Sequence, residues 1–494
     1  MPNTKLSPNG GRRRLTIIAE PVAALLGAAF IVAALLVAPS AWAAGFEIPG
    51  NGARSMSRGN AFAVRADDLS ALAHNPAGLV RNKGLQIYLN HQTVRQEMSF
   101  TRAESVVARS DKYPSDPFRT VENSDNIFAL GGMFVAAHDL GIEGARFALG
   151  IYGPSASGKQ TWPVDGGQRY MMTGIEMLLV YYSAAVAYGG KDWGVGATFQ
   201  YAQMPLTRMT MVVDGSPGGD LNPYYGANDV EAVIELKDNF AYSAILGAWY
   251  RISDNLEVAL SGRVLPVRID ATGDTFLRNI PGQTQFPDSK LQIENSAARM
   301  SLVIPPTATL GFRYVHQAAG KELFDVEFDL VYEAWSMMEQ YKVELDGTIK
   351  LFAAQEAPDV VIAKKWRDTL SARLGATFKA TDMLDISAGG YYEQGAVPVA
   401  YTHVDFPSFD RIGLGLGATV NAGSLQVTLA YNHVMQDDRV VDEKLAKVFQ
   451  VRPLSEAPAE CGATGDQQCN TVPANAGTLK TAIQMASISV GGSF

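Results

Sequence analysis

The sequence is short of the residues that most catalysts, metal centres and nucleic-acid binders need. Cys461 and Cys469 are its only cysteines in 494 residues, too few for a cysteine-built metal centre or a multi-bridge scaffold. Histidine is scarce too. His74, His91, His138, His316, His403 and His433 are scattered, and no H-x-x-x-H or G-x-S-x-G arrangement occurs around them. Those spacings are what bring metal ligands onto one helix face or expose a nucleophile on a turn. Basic charge is outnumbered: 41 Lys and Arg stand against 50 Asp and Glu, a net charge of −9. That balance argues against nucleic acid, whose phosphates need clustered cations. Beyond residue 43 no apolar stretch reaches the roughly 18 residues of a membrane-spanning helix. No cofactor and no metal are expected, and nothing selects the side chains of an enzyme.

What is present begins with a leader. Arg12-Arg13-Arg14 precede the apolar run Val22 to Ala38, and Ala41-Trp42-Ala43 follows as a small-x-small cleavage pattern. Residues 1–43 therefore read as a signal peptide, with the mature chain starting at Ala44; an inner-membrane anchor is the alternative. The leader carries Lys5, three arginines and Glu20, so its removal leaves the chain more acidic still. Hydrophobic residues make up 47%, with 21 Phe, 19 Tyr and 47 Gly. An exported chain whose apolar residues are plentiful but thinly spread suits a transmembrane barrel, where lipid-facing and lumen-facing side chains alternate.

That alternation is clearest where Phe324, Val326, Phe328, Leu330 and Tyr332 interleave with Asp325, Glu327 and Asp329. A period of two places the sets on opposite faces of a strand, and three acids on one face fit a wet lumen better than a two-sheet core. They could hold a cation, or be hydrogen-bonded to a plug. Leu425, Val427, Leu429 and Tyr431 repeat the pattern. Short turns, as at 189–192, 253–255, 381–383 and 421–424, alternate with long polar stretches, of which 207–238 and 439–479 are the longest. This is the asymmetry of periplasmic turns and extracellular loops. The spacing predicts fourteen antiparallel strands from 84–98 to 480–494, with Phe494 as a terminal aromatic on the last. Residues 84–494 form the barrel, and residues 44–83, which lack alternation, form a compact hatch (plug) inside it. Cys461 and Cys469 fall between the last two strands, and export favours a disulfide between them.

The hatch carries residues that become recognisable. Ala44-Gly45-Phe46, Gly59, Ala61, Ala66-Asp67-Asp68 and Asn75-Pro76-Ala77 resemble the N-terminal hatch of the FadL/TodX family of long-chain fatty-acid and hydrophobic-compound transporters. Further matches follow in order: Tyr152-Gly153-Pro154, Pro305 to Gly311, Tyr332 with Trp335, Trp366-Arg367-Asp368-Thr369, Tyr391 to Pro398, and Phe406 to Arg411. The resemblance implies a monomeric channel of the bacterial outer membrane that passively takes up hydrophobic small molecules such as long-chain fatty acids. They would be captured on the extracellular side and released sideways to membrane lipid through an opening at the third strand. Tyr152 and Gly153 are the kink candidates there, and Asn75, Pro76 and Ala77 the gating turn. Matched residue by residue, Phe46, Leu206 and Arg208 would line the ligand site. The family's partner lysine falls on Ile362, with Lys364 and Lys365 nearby but out of register. A general porin is the alternative, and an outer-membrane hydrolase a more distant one.

Overall fold

The computed structural model describes residues 50–103, 118–124, 127–153, 158–214, 228–351, 354–357, 359–450 and 473–494. Residues 1–43, Phe46, Cys461 and Cys469 lie outside them. Among the described residues the pairings close a ring of fourteen antiparallel strands. The first, Gln86–Arg102, pairs with both the second, Ile127–His138, and the last, Gly477–Ser493. Closure leaves no unpaired sheet edge in the bilayer, where an unpaired backbone group would be costly. Among the described residues no helix is long and apolar enough to cross a membrane.

The lower wall has the expected alternation. Leu246, Tyr250, Leu310, Phe312, Leu414 and Leu416 are exposed on the outside. Aromatic contacts mark the two edges of the apolar band: Tyr188–Trp193 at the turn end and Tyr182–Tyr201–Phe240 toward the loop end. The ninth strand, Lys321–Glu333, points Asp325, Glu327 and Asp329 inward, each fully buried.

Above this band the polarity inverts. The fifth strand runs to Asp214 (Trp193–Asp214) and the sixth begins at Asp229 (Asp229–Ser253), so much of 207–238, read from sequence as loop, is strand. In this upper wall Met209, Met211, Ile234 and Leu236 face in, while Lys237 and Glu235 face out. The inversion is achieved in two ways. In the fifth strand a register shift between Met204 and Thr207, around Pro205, moves the apolar odd-numbered set from the outside to the inside. A one-residue slip does this to every following side chain. The sixth strand does the same across Asp238–Phe240, and the eighth across Pro305–Pro306, between Ala297–Ile304 and Thr307–Ala318. In the seventh strand, Leu256–Leu265 and Val267–Asn279, the faces keep their parity and the sequence itself changes. Glu257, Ala259 and Ser261 face in below, Val267, Ile269 and Ala271 above. The ninth continues above a 3-10 turn at Trp335–Met337 as Gln340–Leu345, where Tyr341 and Val343 face in.

The third strand is in two pieces, Ala145–Tyr152 and Gly158–Thr161, both paired with the fourth, Gly174–Gly189. Tyr152 sits opposite Tyr181 and Gly158 opposite Met177, so the register between the third and fourth strands shifts between these two pairs, and residues 154–157 of that stretch lie outside the described ones. The fourth strand also shifts register there against the fifth.

Candidate functional site: the hatch and the apolar upper lumen

Residues Gly50 to Asn82 fill the lower lumen without a strand. They form helical turns at Ala53–Ser57, Ala71–His74 and Pro76–Arg81. Asn75 begins the last turn: its Oδ1 accepts from Ala77 N at 3.1 Å while its Nδ2 donates to Ala63 O at 2.7 Å, with Pro76 at the first helical position, where its missing N–H costs nothing. The wall accommodates this chain with inward-facing glycines. A Cβ at Gly389 would lie 2.2 Å from the Arg58 carbonyl, at Gly196 2.5 Å from Pro76, and at Gly415 2.3 Å from Met56 O. Any side chain on these faces would push the hatch off the wall.

The three acids of the ninth strand hold the hatch by its arginines and its amides. Arg58 donates to Asp325 (3.2 and 2.8 Å), to Glu327 (3.2 Å) and to Thr377 of the tenth strand (2.5 Å). Asp329 accepts from Phe62 N and Ala63 N, at 2.9 and 3.0 Å. Glu327 accepts from Val64 N at 2.6 Å. Arg65 pairs with Asp325, and Arg313 of the eighth strand reaches Asp325 at 2.9 Å and Glu257 at 3.0 Å. A buried carboxylate needs both a counter-charge and hydrogen bonds; Asp325 and Glu327 have both, while Asp329 is held by the two hatch amides. They are hatch anchors, and among the described residues no acidic or histidine cluster is arranged to hold a metal.

Above the hatch the lumen is lined by apolar side chains. Methionine is prominent: Met98, Met171, Met177, Met204, Met209 and Met300 are all buried there. Unbranched thioether chains adapt to differently shaped partners. Trp335 and Trp366 meet edge to face at 5.2 Å. Within this apolar surrounding sits a polar cluster. Lys364 is buried, ion-paired to Asp405, and lies 4.6 Å from the centre of the Tyr341 ring. His403 Nδ1 is 2.9 Å from Asp405. Burial pulls the Lys364 ammonium below its ordinary value. Burial alone would raise the Asp405 carboxyl, but His403 and Lys364 together hold it below the usual carboxylate range. The Tyr341 hydroxyl is pushed well up, first by burial and then by Asp405, so it stays protonated.

The structure separates the residues matched from sequence. Lys364 faces the upper lumen. Lys365, in a left-handed conformation (φ 47°), is exposed, 3.5 Å from Glu339. Leu206 and Arg208 lie past the bulge at Pro205 and turn to the outer face, where Arg208 Nε is 3.4 Å from Glu235. Thr207 and Met209 take the inward positions instead. The structure therefore does not bring Leu206 and Arg208 together with Lys364. Tyr152 faces in, accepts from Gln200 Nε2 and packs its ring 5.3 Å from Tyr181. A Cβ on Gly153 would stand 2.8 Å from Leu179 O, so the chain lies tightly against the fourth strand there. Sequence reading missed Asp405, His403 and Tyr341. The signal available was a lysine, an aspartate and a histidine just before the stretches at Trp366 and Phe406 that match the family pattern.

Comparison with known proteins agrees with this architecture. A long-chain fatty acid transport protein of Escherichia coli is 22% identical over 433 residues, covering 82% of this chain and 90% of its own. Among solved structures, a Pseudomonas aeruginosa FadL homologue superposes with a TM-score of 0.70 at 16% identity, covering 91% of this chain and all of its own. The Ralstonia pickettii toluene transporter TbuX gives 0.61 at 13% identity, with 91% and 100% covered. The family model for outer membrane transport proteins of the OMPP1/FadL/TodX type matches residues 34–464. A plugged fourteen-strand barrel with that match belongs to the OMPP1/FadL/TodX family of outer-membrane transport proteins.

Proposed function

We propose that this chain is a passive channel for hydrophobic small molecules, which leave its upper lumen sideways into the membrane at the third strand, beside Tyr152 and Gly153. The observation that carries the reading is the inversion of polarity above the membrane band. A wall that is polar outside and lined with methionine and aromatics inside creates an apolar compartment in water. Such a compartment takes up apolar molecules by the ordinary hydrophobic driving force. The hatch below it closes the direct route to the periplasm. The register shifts beside Leu178–Val180 lie at the level where the compartment meets the bilayer. A general porin would need a lumen free of the hatch.

Capture from outside has its first station in a groove of about 560 Å³ on the extracellular part of the seventh strand, lined by Phe276, Leu277, Leu291, Ile293 and Arg278. On the lipid side, an apolar groove of about 720 Å³ has small residues, Gly417, Ala418, Ala430 and Ala486, between Leu416, Leu429 and Ile488. It would seat an acyl chain of the surrounding lipid. One chain closes its own barrel, consistent with a monomer. Relatives are described as transporting long-chain fatty acids or toluene, ligands that differ in whether they carry a carboxylate. The test is entry of a labelled hydrophobic compound into proteoliposomes without an energy source. Entry should exceed that into protein-free vesicles, and equal entry into both would overturn the reading.

A further inference from the structure

We propose that Asp405 is a built-in counter-anion that makes the upper lumen select uncharged hydrophobic ligands over carboxylates, an inference that rests on the uptake reading above. A carboxylate ligand needs a cation free to receive it. Lys364, the lysine nearest the position expected from the family match, is already matched by Asp405 in an ion pair in which both side chains are almost wholly buried. His403 faces the other oxygen of the same carboxylate. Other buried cations of the upper barrel are engaged as well: Arg169 meets Asp229 at 3.1 Å, Arg411 pairs with Glu393, and Arg102 donates to the carbonyls of Pro473 and Gly167. An incoming carboxylate would place a second anion at Lys364 or expel Asp405 into apolar surroundings, and an uncompensated buried charge is strongly unfavourable.

The polar groups left over here are neutral. The Tyr341 hydroxyl is buried with no hydrogen-bond partner among the described residues, and so is the Thr207 hydroxyl. A buried hydroxyl without a partner is a standing cost, and a ligand bearing an alcohol or carbonyl oxygen relieves it at Tyr341. The Tyr341 ring, with Phe406 edge-on at 6.4 Å, supplies apolar surface beside it. The ligand class that fits is an uncharged hydrocarbon, and best of all one with a single neutral oxygen.

The experiment compares 1-dodecanol with dodecanoate, at a pH where the acid is ionised, for binding to the purified full-length protein in detergent, read by tryptophan fluorescence. Wild type should bind the alcohol at least about tenfold more tightly, the order of one charge-assisted bond. Asp405→Asn, which frees Lys364, should raise dodecanoate affinity by a similar factor and leave the alcohol unchanged. Tyr341→Phe should weaken the alcohol alone. Dodecanoate binding as tightly as the alcohol in wild type overturns the inference, and this arm stands even where Asp405→Asn fails to fold. An unchanged ratio in folded Asp405→Asn also overturns it. Binding of neither ligand overturns the uptake reading itself, and this inference with it.

Discussion

Arg58→Met should unseat the hatch. Arg58 is fully buried and ties the hatch to two strands at once, through Asp325 and Glu327 of the ninth and Thr377 of the tenth. Removing one partner of a buried ion pair costs about 3–5 kcal/mol, because the other charge is left behind. Here the loss is cushioned. Asp325 keeps Arg65 and Arg313, and Glu327 keeps the amides of Val64 and Arg65. A figure of about 2–3 kcal/mol is therefore expected, a shift of roughly 30- to 150-fold in the ratio of displaced to seated hatch. The barrel ladder does not pass through Arg58, so heat-modifiable mobility on gels should persist. In a planar bilayer the variant should open to large conductance far more often than wild type, with Arg58→Lys in between, since an ammonium cannot span both carboxylates as a guanidinium does. A folded Arg58→Met barrel that opens no more often than wild type would refute the claim that this network holds the plug.

Gly153→Val should slow uptake several-fold while leaving ligand affinity unchanged, because its Cβ would stand 2.8 Å from Leu179 O of the fourth strand; unchanged uptake in reconstituted vesicles would remove the third strand as the exit. Arg208→Ala should cost less than about 1 kcal/mol of stability and leave ligand binding untouched, since its pair with Glu235 is 40–48% exposed and solvent-screened. A tenfold loss of affinity would put Arg208 in the site after all. Cys461 and Cys469, outside the described residues, should be bridged in protein purified from outer membranes. Mass spectrometry of unreduced, alkylated protein showing two modified thiols would count against that.

The lower barrel was legible because one rule governs it. Where the outside is lipid and the inside is wet, alternation of the Phe324–Tyr332 kind repeats strand after strand, and each of the fourteen expected strands has its counterpart. The upper wall was not legible. There both environments reverse, and stretches such as 207–214 and 229–238 lose the expected contrast of apolar out and polar in. The glycines of the hatch belt were visible as composition only. That Gly389 and Gly415 face the turn from Met56 to Gly59 while Gly196 faces Pro76 requires the closed register of the barrel.

The matched hatch residues and the matched ligand residues depend on the fold in different ways. Hatch contacts are local in sequence or made to one face of one strand. Asn75-Pro76-Ala77 therefore keep their turn wherever the barrel wall stands, and Asp325, Glu327 and Asp329 need only period two to point together. Leu206 and Arg208 lie beyond Pro205, and their facing depends on whether one extra residue is accommodated before them. The register shift between Met204 and Thr207 supplies that residue, and every later side chain changes sides. Lys364 escapes this problem. It sits in the irregular segment between Val360–Ala363 and Thr369–Lys379, where its backbone N–H is fixed by the Glu339 carbonyl at 2.8 Å rather than by a ladder. Its neighbour Lys365 bonds to the same carbonyl from a left-handed conformation and is sent outward. Two adjacent lysines of equal standing in the sequence thus end on opposite sides of the wall. Only the inward one meets Asp405, so the charge of the lumen is set by a backbone turn that no side-chain pattern announces.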